Sequence, residues 1–484
     1  VTPIADAYFD SVPLVLLTGQ VGTKDMRGDL PVRQRGFQET DTIAMFRPIT
    51  KAQFLPKTTS ELPEIMERAF HIAKSGRPGP VLVDLPMDVQ RGNIEISKFD
   101  KLEEEASVLF DPSLIDEIVK LLLSSVKPVI IAGHGIILSG AQSELRKFVE
   151  NTHIPVSQSL LGLGAFPTSS SLSLSYHGHT GNQYANKSIH ESDLLLVIGS
   201  RLDIRQTGSR TESFVPNGNV VHIDIDPTEL NYSRVHTEIK IQADAKTVLM
   251  ALNDRIKTLK LPDWKKWLDQ IEQWKTDFPL LYNTTGSLKP QYVIETANRL
   301  TYGKSLVCIT GVGSHQQWVA RHFDFDFPSR TFLTSGGHGA MGFDIPVSIG
   351  AQLNDPKKLV LCFVGDGSIQ MNIQELATIA NHNLPIKIIV LDNRRLGIVS
   401  QFQNITWGKD PSCGNVWNPD FAEIAKAYGI HSATIKTTDE VEQTLSKALN
   451  HSGPFLVNCL VDPSEDVVPM LLGGQTMDKM WPYE

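Results

Sequence analysis

The stretch Gly365-Asp366-Gly367-Ser368 constrains what this chain can fold into more than any other. It closes the apolar run 358–364 and opens the segment 369–380, a pattern that predicts strand, glycine turn and helix. A second apolar run, 386–391, ends in Asp392-Asn393, so the spacing predicts one complete strand-helix-strand crossover. Asp366 and Asn393 then stand at the carboxyl ends of two parallel strands, the edge where open α/β sheets bind ligands. A carboxylate and an amide oxygen converging there, beside a turn whose amides point outward, suit a hard divalent cation carrying a diphosphate. Magnesium is the natural choice, and glycines on both sides of Asp366 exceed what a plain turn requires.

The other regions fit an α/β chain of about three domains, as 484 residues suggest. Residues up to about 104 alternate helix and strand: a helical start at Ile4, a strand over 13–20, a polar loop, a helix near 61–75 and a strand over 81–86. The start has no linker or cap before it, as though joined mid-domain. A charged stretch, 101–105, reads as a linker into a middle region, 111–256. Its strands over 128–133, 193–199 and 219–227 each end in glycine or an acid, the grammar of a doubly wound nucleotide-binding sheet. His134, His177 and His179 lack paired acids at ligand spacing and read as turn or core residues. A helical linker over 257–289 carries Trp264, Trp267 and Trp274 and leads to the third region, 290–484. There the strand 305–310 ends in Gly311-Val312-Gly313-Ser314-His315, and the strand 331–334 ends in the glycine-rich 335–343, where backbone can pass close beside a flat ring.

The net charge of −9, from 54 acidic against 45 basic residues without a sustained basic run, speaks against nucleic acid as a partner. The four cysteines show no metal spacing and read as buried thiols in a reducing compartment. No apolar stretch approaches a membrane span, so a soluble, cytoplasmic protein without membrane contact is expected.

The GDGS pattern, its helix and the strand ending in Asn393 resemble the diphosphate-anchoring motif of thiamine-diphosphate (ThDP) enzymes. Much of the surrounding sequence resembles the acetohydroxyacid synthase branch, nearly end to end. The resemblance implies three doubly wound parallel-sheet domains: a pyrimidine-binding domain over 1–104, N-terminally incomplete; a middle FAD-binding-like domain; and a diphosphate- and magnesium-binding domain. It implies ThDP, Mg2+ and FAD as cofactors, and decarboxylation of pyruvate with carboligation to a second 2-keto acid. Sites in this superfamily draw on different subunits, which implies a homodimer or tetramer, and the family leaves room for a regulatory subunit. Three rival readings are a related carboligase with another acceptor, in sugar or secondary metabolism; a non-ligating decarboxylase or oxidase; and a catalytically dead cofactor-binding protein.

By resemblance, Phe37, Gln38 and Lys51 line the substrate entrance, with Gln38 polarising the donor carbonyl, and Arg77, Arg201, Arg205 and Asp226 contact the flavin. Gly313, His315, Gly365, Gly367 and Ser368 surround the diphosphate, Met341 wedges between the cofactor's two rings, and the Gly339 carbonyl holds its amino group. Asp366, Asn393 and the Arg395 backbone carbonyl ligate magnesium, while Leu396, Ile398 and Phe402 line the substrate pocket and 469–475 closes over the site. There are departures. The loop 21–36, with Lys24, Arg27, Arg33 and Arg35, is longer and more basic than the family pattern and could receive an acceptor bearing phosphate. Ser314 replaces a glutamine, Ile204 stands where a second acid is usual, and Phe402 stands where synthases favouring 2-ketobutyrate carry tryptophan. The family's proton-relay glutamate precedes the segment that residues 1–11 resemble, so either a stretch upstream of this numbering or a truncated, inactive product is expected.

Overall fold

A computed structural model describes residues 1–94, 110–408 and 417–483. The expected linker 101–105 and Cys413 lie outside them. The described chain forms three wholly parallel sheets distributed over two compact units.

One unit comprises the described residues of 1–107 together with Ser335–Ala340. Its strands β1 (Leu14–Gln20), β2 (Ala52–Phe54) and β3 (Pro80–Pro86) pair in the order β1-β3-β2. Val81 and Val83 of the central β3 are fully buried against Ala69 and Ala73 of the helix Leu62–Lys74, where small side chains let helix and sheet approach closely.

The second unit holds the other two sheets. The middle sheet contains β4 (Pro128–Ala132), β5 (Val156–Gln158), β6 (Ser173–Tyr176), β7 (Leu194–Ile198), β8 (Asn219–Asp224) and β9 (Ile239–Gln242), in the order β6-β5-β4-β7-β8-β9. Counted within the sheet this is 3-2-1-4-5-6, with a topological switch between β4 and β7. Both strands are apolar and buried at every position, as a strand covered on both faces must be. Most of the segment 257–289, expected as a linker, packs on this core, while Leu288 near its end joins the core of the third sheet. The segment's helix Lys265–Asp277 buries Trp267, Ile271 and Trp274, and the Trp264 and Trp267 indoles donate to the Ser125 and Pro128 carbonyls at 3.0 and 3.2 Å. An amphipathic helix whose indoles need buried partners docks on a sheet. Leu471, Met477 and Met480, from far along the chain, complete the same core.

The third sheet contains β10 (Leu306–Thr310), β11 (Arg330–Thr334), β12 (Leu359–Gly365), β13 (Lys387–Asp392), β14 (His431–Ile435) and β15 (Phe455–Leu460), in the order β11-β10-β12-β13-β15-β14. Alternate residues of β10 enter different core clusters, Leu306 and Cys308 one and Val307 and Ile309 the other, so helices cover both faces. The switch falls between β10 and β12, whose ends carry the two glycine loops singled out above. Cys308, Cys362 and Cys459 are buried and free. No helix among the described residues is long and apolar enough to cross a membrane.

Candidate active site at the carboxyl edge of the third sheet

β12 ends at Gly365, and the helix Asp366–Met371 starts immediately after it. Asp366 is only 2% exposed. Its Oδ1 accepts from Gly367 N at 2.8 Å and its Oδ2 from Asn418 Nδ2 at 2.7 Å. The same Asn418 nitrogen donates to Asp392 Oδ1 at 2.7 Å, so two buried carboxylates share one neutral amide. Burial, with the Asp392 charge adding to it, pushes the Asp366 carboxyl up to about 6 against the opposing pull of the Asn418 bond. Among the described residues neither carboxylate has an ion-pair partner. Such a pair is costly without a counter-charge, and a divalent cation fits the deficit.

Asn393 follows β13, with its Oδ1 accepting from Arg395 N at 3.1 Å. Arg394 adopts φ 55 between them, turning the chain so that the Arg395 backbone comes back beside Asn393. A Cβ on Gly397 would stand 3.1 Å from Asn393 Nδ2 and closer still to Ser314 Oγ, so glycine there lets the helix Gly397–Trp407 begin against both loops.

Asp344, fully buried at the start of the helix Asp344–Asn354, ties the loops together. Its carboxylate accepts from Gly311 N and Ser368 Oγ, and His315 Nε2 stands 3.2 Å from its Oδ1. Ser368 Oγ in turn accepts from Gly342 N at 2.8 Å, so the loops after β10, β11 and β12 meet on one acid. The His315 ring lies beside both glycine turns: a Cβ at Gly365 would come within 2.9 Å of its Nδ1, and one at Gly313, where φ is +145, within 3.1 Å. At Gly367 a Cβ would come within 2.8 Å of Leu396 Cδ2 and 3.3 Å of Met341 Cε. Bare backbone at Gly365 and Gly367 beside a helix start could receive a diphosphate, and Met341 and Leu396 lie against Gly367.

At the switch of the middle sheet two glycine-bearing loops pack backbone to backbone. Gly133 and Gly135 press against the strand-end Gly199: a Cβ at Gly133 would come within 2.6 Å of Ser200 Cα, and one at Gly135 within 2.6 Å of Gly199 Cα. A buried hydrogen-bond chain runs from Ser200 Oγ to Gln206 Oε1 at 2.7 Å, on to His177 Nε2 at 3.3 Å, and from His177 Nδ1 to Ser157 Oγ at 2.9 Å. Gln206 Oε1 can only accept, so His177 carries its proton on Nε2, and burial lowers its pKa to about 4. Arg201 pairs with Asp203 at 3.1 Å, and Asp203 caps Arg205 N at 2.8 Å. Asp226 caps the next turn, accepting from Thr228 N and Oγ1 at 2.8 and 2.6 Å. Gln158, at the end of β5, keeps a buried amide nitrogen without a partner. A donor unsatisfied among the described residues and glycine loops at the switch edge fit a dinucleotide such as FAD.

Residues 115–252 match the family model of the thiamine pyrophosphate enzyme central domain, and residues 311–459 that of the C-terminal TPP binding domain. A probable acetolactate synthase large subunit of Methanocaldococcus jannaschii is 39% identical over 495 residues, covering 100% of this chain and 82% of the relative. Acetolactate synthase 2, chloroplastic, of Nicotiana tabacum is 39% identical over 98% of this chain and 72% of its own length. The acetolactate synthase isozyme 3 large subunit of Escherichia coli K12 is 38% identical over 99% of this chain and 84% of its own length. The chain belongs to the acetolactate synthase branch of the thiamine pyrophosphate enzymes.

As an acetolactate synthase relative it is an enzyme with thiamine diphosphate as its cofactor. Against that family pattern, the structure brings Gly313, His315, Met341, Gly365, Asp366, Gly367, Ser368, Asn393 and Leu396 together at one sheet edge. Ile398 packs on the neighbouring core, and Phe402, 36% exposed, stacks on His179. Gly339 lies in the other unit, where Ser335 Oγ accepts from its N at 2.9 Å and donates to Asp6 Oδ1 at 2.5 Å, while Asp10 accepts from the Gly336 and Gly337 amides at 2.9 and 2.7 Å.

The residues expected at the substrate entrance also belong to that unit. Phe37 is 85% exposed, and Gln38 is exposed with φ 64. Lys51 has two of its three ammonium donors committed to the end of the helix Leu62–Lys74, at 2.5 Å from Ile72 O and 2.6 Å from Ser75 O. That geometry gives Lys51 a helix-closing role which the sequence did not suggest. Arg77 Nε donates to Ser11 Oγ at 2.9 Å. In the basic loop Arg27 pairs with Asp41 at 3.3 Å, and Glu39 gathers the amides of Arg27, Arg35 and Gly36, leaving the Arg33 and Arg35 side chains exposed.

Sequence reasoning missed Asp344 and Asn418. Asn418 lies 52 residues from Asp366, so no spacing could pair them. Asp344 left a faint trace, the one charged residue of its helix, placed directly after the glycine-rich stretch.

Proposed function

We propose that this chain decarboxylates pyruvate and joins the resulting two-carbon unit to a second 2-keto acid, forming acetolactate when pyruvate is also the acceptor. The observation that carries the reading is the buried carboxylate pair Asp366 and Asp392, without an ion-pair partner among the described residues, beside a bare glycine turn at the sheet switch. Asp366 and Asn393 side-chain oxygens with the Arg395 carbonyl would hold Mg2+, and Gly313, His315, Gly365, Gly367 and Ser368 would receive the diphosphate. Bound there, thiamine diphosphate supplies a nucleophilic carbon and an electron sink. Met341 would support its ring system, and the Gly339 carbonyl would accept from its amino group. Leu396, Ile398 and Phe402 would exclude water and orient the acceptor, while Gln38, between Phe37 and Lys51 at the entrance, would donate to the donor carbonyl oxygen.

FAD would be held by Arg201, Arg205 and Asp226 at the switch edge of the middle sheet and by Arg77. The domains would be 1–104, 111–256 with the tryptophan helix docked on it, and 290–484. Exposed Phe37 supports a homodimer or tetramer, and the naming of relatives as large subunits supports a smaller regulatory partner. Buried free thiols support a reducing compartment such as the cytoplasm.

Product analysis of the full-length protein with labelled pyruvate, Mg2+ and ThDP tests the reading. Acetolactate is expected; free acetaldehyde or acetate alone would replace it with a non-ligating reaction. The exposed Arg33 and Arg35 favour one second reading, an acceptor carrying an anionic group, which a panel of phosphorylated aldehydes added to the same assay would reveal.

A further inference from the structure

His179 was expected to be an ordinary turn or core residue, yet it lies where three segments meet. Its ring stacks on Phe402, with centroids 5.5 Å apart and planes 7° from parallel. Its Nδ1 stands 2.8 Å from Leu471 O, and a carbonyl oxygen only accepts, so Nδ1 carries the proton. Leu471 N donates back to His179 O at 2.7 Å, and His179 N donates to Arg205 O at 2.6 Å. The His179 backbone is therefore held on two sides, from the middle sheet and from the late segment around Leu471, and its ring is held by the Leu471 carbonyl. Burial lowers its pKa to about 4, the Leu471 bond opposes this, and the charges of Arg205 and Arg321 add to it, so the stacked ring is neutral near pH 7. Among the described residues Phe402 has no comparable anchor: it projects from the helix Gly397–Trp407 and remains 36% exposed.

We propose that His179 is a positioning residue for acceptor choice, holding the Phe402 ring in one orientation as a fixed wall of the acceptor pocket. The inference rests on the reading above that Phe402 lines that pocket. A freely turning phenyl ring presents face or edge and tolerates acceptors of different size; a ring held flat against a fixed imidazole presents one surface. An offset aromatic pair of this kind would change discrimination by roughly two- to tenfold.

The test is competition between pyruvate and 2-ketobutyrate as acceptors, read as a product ratio on the full-length protein. Because the ratio is set within each active molecule, loss of folded protein does not move it. Four variants separate the contributions: Phe402→Ala; His179→Asn, which keeps an amide donor for Leu471 O and removes the ring; His179→Phe, which keeps a ring and removes the donor; and Phe402→Ala with His179→Asn. The expected result is a shifted ratio in Phe402→Ala, a shift of roughly two- to tenfold in His179→Asn, a near-native ratio in His179→Phe, and no added effect of His179→Asn once Phe402 is alanine. If Phe402→Ala shifts the ratio and His179→Asn does not, the inference is overturned while the pocket reading stands. Equal shifts in His179→Asn and His179→Phe overturn it too, since a ring restored at position 179 would then not restore the ratio. An unchanged ratio in Phe402→Ala removes the pocket reading itself, and the inference with it.

Discussion

Asn418 Nδ2 donates to Asp366 Oδ2 at 2.7 Å. Its second bond, to Asp392, makes this amide the spacer that keeps two buried carboxylates apart and leaves Asp366 Oδ1 turned to the glycine loop. Partners that orient a metal ligand are typically worth 10–100-fold in metal affinity, so Asn418→Ala should weaken magnesium-dependent ThDP binding by about that factor. Asn418→Asp, which adds a third carboxylate, should weaken it more. Calorimetric titration of ThDP at stepped Mg2+ concentrations measures this, and native affinity in both variants would remove Asn418 from the site.

Asp366→Ala should abolish magnesium-dependent ThDP binding altogether, because an ion that demands near-octahedral oxygen geometry cannot keep its place with a carboxylate missing. ThDP affinity that still rises with added Mg2+ would show that the metal sits elsewhere.

Phe402→Trp should raise preference for 2-ketobutyrate over pyruvate as acceptor. One pocket group of this kind is worth about 1–3 kcal/mol, roughly ten- to two-hundredfold. Competition assays reporting an unaltered product ratio would place Phe402 outside the pocket.

Lys51→Met removes two hydrogen bonds from the end of the helix Leu62–Lys74. It should lower the stability of the first unit by about 1–3 kcal/mol, seen as earlier thermal unfolding, while KM for pyruvate in the folded fraction stays native. A raised KM without loss of stability would instead make Lys51 a substrate contact.

Acid should loosen the second unit through its buried histidines. His134 and His177 titrate near 4 in the folded chain because burial disfavours the charged ring, against 6.5 for an ordinary histidine. The folded state then binds fewer protons between those values, so their contribution to stability is complete above pH 6.5 and is lost as pH falls towards 4. His177→Asn should be less stable than the native protein at pH 7 but lose less on going to pH 4.5. Parallel unfolding curves at the two pH values would count against this.

The glycine turn at Asp366 and the acid-amide end of β13 could be read directly because strand, turn and polar side chain are contiguous in the chain, as could the strand runs that became β4, β7, β8 and β10. Partners of an amphipathic surface are not contiguous. The helix Lys265–Asp277 has a tryptophan face in its sequence, but nothing there says which sheet the face covers, so it passed for a linker. Asp344 and Asn418 act through bonds across dozens of residues, and Lys51 closes a helix that begins eleven residues after it, so their chemistry emerged only once the loops had been brought together.

Met477 and Met480 lie in the core of the middle sheet, and buried Arg321 binds the late segment through the Val468 and Pro469 carbonyls, both at 2.6 Å. The strands of that sheet are complete by Gln242, so on a ribosome adding about 5–20 residues per second the sheet waits on the order of tens of seconds for the side chains that seal it. During that interval its nascent apolar face is open to chaperones, and a nonsense or frameshift lesion after β15 would leave an otherwise finished domain permanently unsealed.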